Sequence, residues 1–359
     1  MDMTLMARLR PIGFTPAVAQ ATGSLDASRD EAAVPMRLIE VHREAVRVTD
    51  GEHEHLARPL PGLFRALADA GDSLTVGDWL LVQTDQHGTL WVRQRMAPLT
   101  EIVRRNSSGS RQPLVTNVDS ALLVMGLDGD FNLRRLERYL AMVKPAGIRP
   151  VVILTKRDLC QNVATQLDAL RERLSQDIAV HAVDARAAVT ASELAPYVGT
   201  GQTTVVLGSS GAGKSTLTNT LLGGHVQDTG TVREDDSRGR HTTTSRSLHR
   251  LPAGGCIIDT PGLRGLRPDI DEDDLAAAFD DIQSLAGRCR FRDCGHRDEP
   301  GCAVRAGVAA DRLVNYQKML REIRRETLTP LQRREQLSMW KIRHRTAEQR
   351  MRMKRGEKN

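Results

Sequence analysis

No stretch of about 18 uncharged apolar residues occurs in this chain, which excludes a membrane-spanning helix. The opening residues Met1–Arg10 lack an apolar run followed by a small-residue cleavage site, so a secretory leader is not expected and the cytoplasm is the expected compartment. Cysteine is scarce. Five in 359 residues are too few for a disulfide framework. Three of them cluster near the C-terminal end, which in a reducing compartment points to metal rather than to bridges. The other two, Cys160 and Cys256, have no partners nearby in sequence and read as core residues. No internal repeat is visible. What remains is an ordinary globular composition, 27% charged and 40% hydrophobic, long enough for two or three domains at roughly 100–200 residues each.

The net charge of +6 is unevenly placed. Residues 312–359 carry fifteen Lys and Arg against five Asp and Glu, so the preceding chain is slightly acidic. A block this lopsided suits a polyanion, the plainer alternative being a solvated helix face. Residues 1–35 show weak periodicity with interspersed Ala, Gly, Ser and Pro and read as a flexible extension. Over 36–100, the stretches Arg37–Val41, Ala45–Thr49, Val76–Val82 and Thr89–Arg95 are short and β-rich, separated by turn signals such as Asp50-Gly51 and His87-Gly88. They predict a small β-barrel of the OB type. Residues 104–111 read as a linker. From Val118 apolar strands alternate with helices (strand Ala121–Met125, helix Leu133–Val143, strands Pro150–Leu154, Thr204–Leu207 and Cys256–Ile258), which predicts an α/β domain over 112–267 with a mainly parallel sheet. An acidic helical stretch, the cysteine cluster over 268–325 and a basic helical tail over 326–359 follow.

The strongest motif is Gly208-Ser209-Ser210-Gly211-Ala212-Gly213-Lys214-Ser215, between the strand Thr204–Leu207 and a helix beginning at Thr216. It matches G-x-x-x-x-G-K-[ST] in the strand–loop–helix context that gives the pattern meaning. Its glycines let backbone N–H groups face phosphate oxygens, Lys214 reaches the β- and γ-phosphates, and the Ser215 hydroxyl is the expected Mg²⁺ ligand. About 50 residues on, Asp259-Thr260-Pro261-Gly262 ends an apolar strand. Asp259 can hold Mg²⁺ through water and the Gly262 N–H can meet the γ-phosphate. Between the two, Gly239–Thr244 offers Thr243, with Thr242 close behind, to complete the Mg²⁺ shell.

Thr155-Lys156-Arg157-Asp158, after the strand ending at Leu154, is the base-reading element. The Asp158 carboxylate can accept from guanine N1–H and N2–H₂, a donor pair that adenine lacks. Lys156 would lie over the base. Thr155 replaces the usual Asn, which predicts a weaker bond to the base or the phosphate loop. Val183-Asp184-Ala185 stands where a Ser-Ala element supports the guanine oxygen, leaving the Ala185 N–H for that role. The order is unusual, because the base reader precedes the phosphate loop. The same sheet can be built from a rotated chain, a circular permutation.

Cys289, Cys294, His296 and Cys302 form C-x₄-C-x-H-x₅-C. Three thiolates and an imidazole suit a closed tetrahedral Zn²⁺ site with no position left for water, hence a structural ion; unmetallated thiols or a redox pair are the alternatives.

The permuted order, the N-terminal barrel, the Cys₃His cluster and the basic helical tail together resemble the bacterial small-subunit-dependent GTPase A (RsgA) family over about Met36 to Arg325. That resemblance implies a multidomain protein: an OB-type β-barrel, a circularly permuted P-loop α/β GTPase domain and a C-terminal zinc-binding helical domain. It implies a Mg²⁺-dependent GTP phosphohydrolase acting in late maturation of the small (30S) ribosomal subunit, contacting 16S rRNA, stimulated by the subunit, with GTP and GDP as ligands. A monomer is expected. The alternative is a nucleotide-regulated RNA-binding module with negligible turnover. Leu263 stands where many GTPases carry a water-orienting Gln. His241, in the loop expected to cover the γ-phosphate, is the nearest residue able to orient water or act as base; the other reading is that it packs or contacts RNA.

Overall fold

The computed structural model describes residues 3–23, 33–106, 109–224, 246–261 and 267–326. They fall into two units, Met1–Asp269 and Ile270–Asn359. The first unit opens with helices α1 (Met3–Leu9) and α2 (Pro16–Gly23) around a 3₁₀ turn at Arg10–Ile12. Leu9, Ile12, Phe14 and Val18 are buried in one cluster with Trp79, Met96, Ile102 and Leu114. The Phe14 and Trp79 rings meet edge to face at 4.8 Å. Residues 9–18 are therefore packed into the core, not part of a flexible extension as composition suggested. Pro11, Gly13 and Pro16 break the segment into pieces too short to show a helical period, and its apolar side chains serve the core instead.

Five strands close a barrel in the order β1-β2-β3-β5-β4: β1 (Val34–Val41), β2 (Val46–Thr49), β3 (Glu54–Pro59), β4 (Trp79–Thr84) and β5 (Leu90–Arg95), with α3 (Pro61–Asp69) between β3 and β4. The parallel β3–β5 pairing closes it, and Leu38, Val48, Leu80, Val82 and Val92 fill it. The β2–β3 turn forms because Asp50 Oδ1 accepts from the Glu52 and His53 N–H groups at 2.9 and 2.8 Å. Sequence patterning starts the strand before Thr89–Arg95 at Val76, but β4 begins after Gly77. That residue has φ 99°, and a Cβ on it would fall 2.1 Å from the Thr116 carbonyl oxygen.

Of the residues read as a linker, Arg104, Arg105 and Arg111 instead lie in the strands of a hairpin, β6 (Glu101–Arg105) and β7 (Arg111–Thr116). Its Arg105 and Arg111 pair with Asp269 at 2.7 and 3.3 Å, and its apolar residues Ile102, Leu114 and Val115 are fully buried. Arg37 joins the parts of this unit. Wholly buried on β1, it donates to the Ile12 and Asn117 carbonyls at 3.0 and 2.8 Å and stacks 5.0 Å above Trp79. Burial pushes its pKa down.

A six-stranded sheet follows, in the order β10-β9-β8-β11-β13-β12. Its strands are β8 (Ser120–Gly126), β9 (Arg149–Thr155), β10 (Ala179–Ala182), β11 (Thr203–Gly208), β12 (Ser247–Arg250) and β13 (Cys256–Asp259); α4 (Leu133–Val143), α5 (Val163–Arg171), α6 (Val189–Leu194) and α7 (Lys214–Leu222) connect them. Only the edge strand β12 is antiparallel. β8, β11 and β13 are buried along their full length, as strands covered on both faces must be. From β8 the chain winds outward through β9 and β10, then returns to place β11 on the other side of β8. The β8–β11 boundary is thus the topological switch point, where ligands bind at the carboxyl ends of strands.

The second unit contains α8 (Glu272–Ala278), α9 (Asp280–Ala286), α10 (Ala303–Gly307) and α11 (Ala310–Glu326). Asp271 and Asp274 form a reciprocal capping box at the start of α8. Arg312 grips Asp281 through two bonds of 2.8 and 2.7 Å and lies over the Phe279 ring. Arg324 does the same with Glu272 at 2.8 and 2.8 Å.

Candidate functional site

The phosphate loop springs from β11 at the switch point and runs into α7. Parallel pairing of β11 with β8 sets Gly208 beside Val124, and a Cβ at Gly208 would lie 2.5 Å from the Val124 carbonyl oxygen. Gly211 and Gly213 adopt φ of 82° and 89°, the left-handed region that lets the loop curl. Ser209, Ser210 and Ala212 complete the loop, while Ser215 and Thr216 lie in the first turn of α7. Lys214 is buried, and its ammonium donates to the Ser209 carbonyl at 2.7 Å. Burial holds its pKa below the usual lysine value, with the Asp259 and Asp130 charges working against that shift. Asp259 ends β13, fully buried, and register places it beside Val206, two residues before Gly208. A buried carboxylate close enough to bias Lys214, with the Ser215 hydroxyl one residue on, is a donor set suited to a hard cation.

The residues expected to read the base reach the same sheet edge from β9. Thr155 is buried at the strand's end and pairs in register with Gly126. Its hydroxyl donates to the Ala212 carbonyl of the phosphate loop at 2.6 Å. The one hydroxyl of Thr155 thus ties the two motifs directly. Thr155→Val should weaken GDP binding about tenfold, since a buried carbonyl that loses its donor costs about 1–3 kcal/mol. Titration with a fluorescent GDP analogue checks it, and unchanged affinity would show that the tie does not shape the loop.

Lys156 adopts φ 59° and bonds Asp128 at 2.5 Å. Asp158 follows in a 3₁₀ turn, Arg157–Leu159. Beside it opens a cleft of about 320 Å³ lined by Asp158, Val183, Asp184, Ala187, Val189 and Thr190 among others. The loop bearing Ala185 is tied down at two adjacent carbonyls, since Thr190 Oγ1 donates to the Asp184 carbonyl at 2.7 Å and Thr220 Oγ1 of α7 donates to the Ala185 carbonyl at 2.6 Å.

Thr155, Lys156, Asp158, Ala185, Gly208–Thr216 and Asp259 therefore come from segments up to about a hundred residues apart to one edge of one sheet. Thr242, Thr243, His241, Gly262 and Leu263 lie outside the described residues, as does the basic tail beyond Glu326. Sequence reasoning missed Asp128, Asp130 and Arg186. Asp130 accepts from Ser209 Oγ at 2.6 Å and from the Gly126 N–H at 3.3 Å, and it also pairs with Arg135. The readable sign was an Asp-Gly-Asp cluster directly beyond the carboxyl end of a buried strand.

In the second unit, one ligand atom from each of Cys289, Cys294, His296 and Cys302 lies within 4.8 Å of every other. The Cys289 and Cys302 sulfurs are 3.9 Å apart, and His296 Nδ1 is 3.7 and 3.5 Å from them. Ligands on a tetrahedral Zn²⁺ with Zn–S of about 2.3 Å are spaced by about 3.8 Å, so the cluster could hold a zinc ion. Gln317 of α11 anchors it from outside by donating to the His296 carbonyl at 2.8 Å.

A phosphate-loop motif at the switch point of a mainly parallel sheet, tied by Thr155 to a Lys156–Asp158 segment that precedes it in the chain, has the organisation of a circularly permuted P-loop GTPase. The family model described as RsgA GTPase matches residues 96–268. The chain is 44% identical over 300 residues to the small ribosomal subunit biogenesis GTPase RsgA of Xanthomonas campestris pv. campestris (strain B100), covering 81% of each chain. It is 46% identical over 298 residues to the protein of that name from Xylella fastidiosa (strain M23), covering 80% of this chain and 88% of the relative. The chain belongs to the RsgA GTPase family, and it is a GTP-hydrolysing enzyme. Two solved structures share the fold. YjeQ from Thermotoga maritima matches with a TM-score of 0.60 at 24% identity, over 81% of this chain and 98% of that one. YloQ, a circularly permuted GTPase, matches with a TM-score of 0.58 at 23% identity, over 84% and 98%. Among the described residues no helix is long and apolar enough to cross a membrane.

Proposed function

We propose that this enzyme binds the small (30S) ribosomal subunit through 16S rRNA, late in the subunit's maturation, and hydrolyses GTP to GDP and phosphate faster when bound. The observation that carries the reading is the convergence of Thr155, Asp158, Ala185 and the Gly208–Ser215 loop on one sheet, in a chain 44% identical to a protein named for small-subunit biogenesis. The function is that of a cytoplasmic monomer, with residues 36–100 and the basic tail 326–359 meeting RNA, 112–267 hydrolysing GTP, and 268–325 held by one structural Zn²⁺ on Cys289, Cys294, His296 and Cys302.

In this mechanism Asp158, Lys156 and the Ala185 N–H hold guanine, and the N–H groups of Gly208–Thr216 cradle the phosphates. Lys214 offsets the charge that develops on the β–γ bridge as the γ-phosphoryl leaves. Ser215 and Thr243 would hold Mg²⁺, with Asp259 behind; the ion neutralises phosphate charge when bound. Gly262 would meet the γ-phosphate, and His241 would place the attacking water, since Leu263 has no polar atom to do so.

Phosphate release measured against subunit concentration at several salt concentrations tests the proposal. Slow basal turnover, accelerated by subunits and losing that acceleration steeply with salt, is the expected result, because phosphate contacts release counterions. A fast basal rate indifferent to subunits would reject it. Subunit binding that depends on the bound nucleotide, with no turnover, would leave a regulated RNA-binding module instead.

A further inference from the structure

We propose that Arg186 is an internal competitor for guanine, an arginine latch that holds the Asp158 carboxylate and must release it before the base can dock. The proposal rests on the reading of Asp158 as the guanine acceptor. Arg186 follows Ala185 in the loop tied to α7, and its Nη2 donates to Asp158 Oδ2 at 2.6 Å. Its Nε lies 3.5 Å from Asp184 Oδ1, and the Arg186 backbone N–H donates to that same oxygen at 2.9 Å. Asp184, the residue that departs from the usual Ser, thus fixes the start of the side chain and aims its far end.

The chemistry of the two claimants is alike. Guanine presents N1–H and N2–H to a carboxylate as neighbouring donors, and a guanidinium presents N–H donors in a similar planar fork. Both need the oxygens of the Asp158 carboxylate, one of which Arg186 already holds. The claimants differ in charge. Arg186 brings a positive charge to two carboxylates, Asp158 and Asp184, and the neutral base does not. Docking of guanine therefore exchanges an ion pair for two neutral donors, with the Nε remaining beside Asp184 while the fork swings away. Lys156 is engaged in the same manner by Asp128, so both charged side chains of the base site have partners within the chain.

The latch is weak by construction. The Arg186 side chain is 69% exposed and that of Asp158 29%; such a pair is screened by water and by salt. A strong latch would close the site to nucleotide. A weak one lowers affinity by a small factor and hands Asp158 back to Arg186 when GDP leaves.

The test is equilibrium binding of fluorescent GDP to the full-length chain and to Arg186→Gln and Asp158→Asn, each at low and high potassium chloride. Arg186→Gln should bind GDP about two- to fivefold more tightly at low salt, the range expected of a partly exposed ion pair. The advantage over the wild type should shrink at high salt, where the pair is screened. A residue that merely supported the loop, or that touched bound nucleotide, would move the affinity the other way. Equal or weaker binding by Arg186→Gln, with Asp158→Asn losing GDP, would overturn the latch and leave the guanine site standing. Unchanged GDP binding by Asp158→Asn would remove the guanine reading and the latch with it.

Discussion

Lys214→Ala is expected to lower single-turnover GTP hydrolysis at least about a hundredfold, the loss seen when one aimed donor is withdrawn from developing transition-state charge, while the protein stays folded. Lys214 is 7% exposed, and its ammonium is held 2.7 Å from the Ser209 carbonyl, within the curl of the loop. Its aim is therefore set by the backbone, not acquired on binding. A preorganised charge needs no reorganisation when the γ-phosphoryl begins to leave, which is why its removal should cost more in turnover than in GDP affinity. Stability should move little. Burial depresses the Lys214 pKa, so carrying the charge there costs folding free energy relative to the unfolded chain, and truncation relieves that cost as it removes packing. The turn into α7 does not depend on the side chain, since Gly213 at φ 89° begins the helix. Rapid-quench phosphate release and a melting curve on the same preparation check both halves. Near wild-type turnover would place the phosphate-stabilising charge elsewhere, and a collapsed melting transition would make Lys214 a structural residue.

What could be read in advance follows from how local each determinant is. The phosphate loop was legible because its glycines, lysine and serine are consecutive, and a chain that must curl around phosphate has few other ways to be written. The helix Leu133–Val143 was legible to the residue because its apolar positions repeat at the helical period and Asn132 caps it, accepting from the Arg135 N–H at 3.0 Å. The metal ligands stand within fourteen residues, so their spacing alone suggested them. The N-terminal segment failed for the opposite reason. Leu9, Ile12, Phe14 and Val18 matter only because the barrel and the hairpin present a cavity to them, and nothing near them in sequence says so. β3 was missed because its exposed face is charged and Leu56, an outward-facing residue on it, blurs the alternation. What Thr155 touches was not legible, because its reach is decided by register. β9 ends where a single hydroxyl suffices to meet Ala212. Arg186 and Asp130 belong to this last kind: each acts on a residue brought to it by sheet order across dozens of positions.

Cys294→Ala is expected to cut bound zinc from one ion per chain to a small fraction and to unfold the second unit selectively. The reason is the size of what the cluster holds. Between α9 and α10, residues 287–302 contain no helix or strand, and Cys302 is the one buried residue of that stretch. Almost no apolar burial fixes this loop, and so small a body needs a cross-link of some kind. Four ligand atoms within 4.8 Å of one another would supply it, with apparent zinc binding of about 10–16 kcal/mol in small zinc folds at neutral pH. Three remaining ligands would bind zinc far more weakly and leave a coordination position to water. The loss should spread to α10, whose first turn is capped by Cys302 accepting from the Arg305 N–H at 3.4 Å, and to α11, which Gln317 joins to the loop. The packing of Phe279, Leu313 and Tyr316 in that unit would then be exposed to solvent. The nucleotide site, built wholly from the first unit, should keep its GDP affinity. Elemental analysis, limited proteolysis across residues 287–303 and GDP titration on one sample separate these outcomes. Full zinc content would discard the ligand assignment. Zinc loss with an unchanged cleavage pattern would mean that the apolar contacts of α8–α11 hold the unit without the metal.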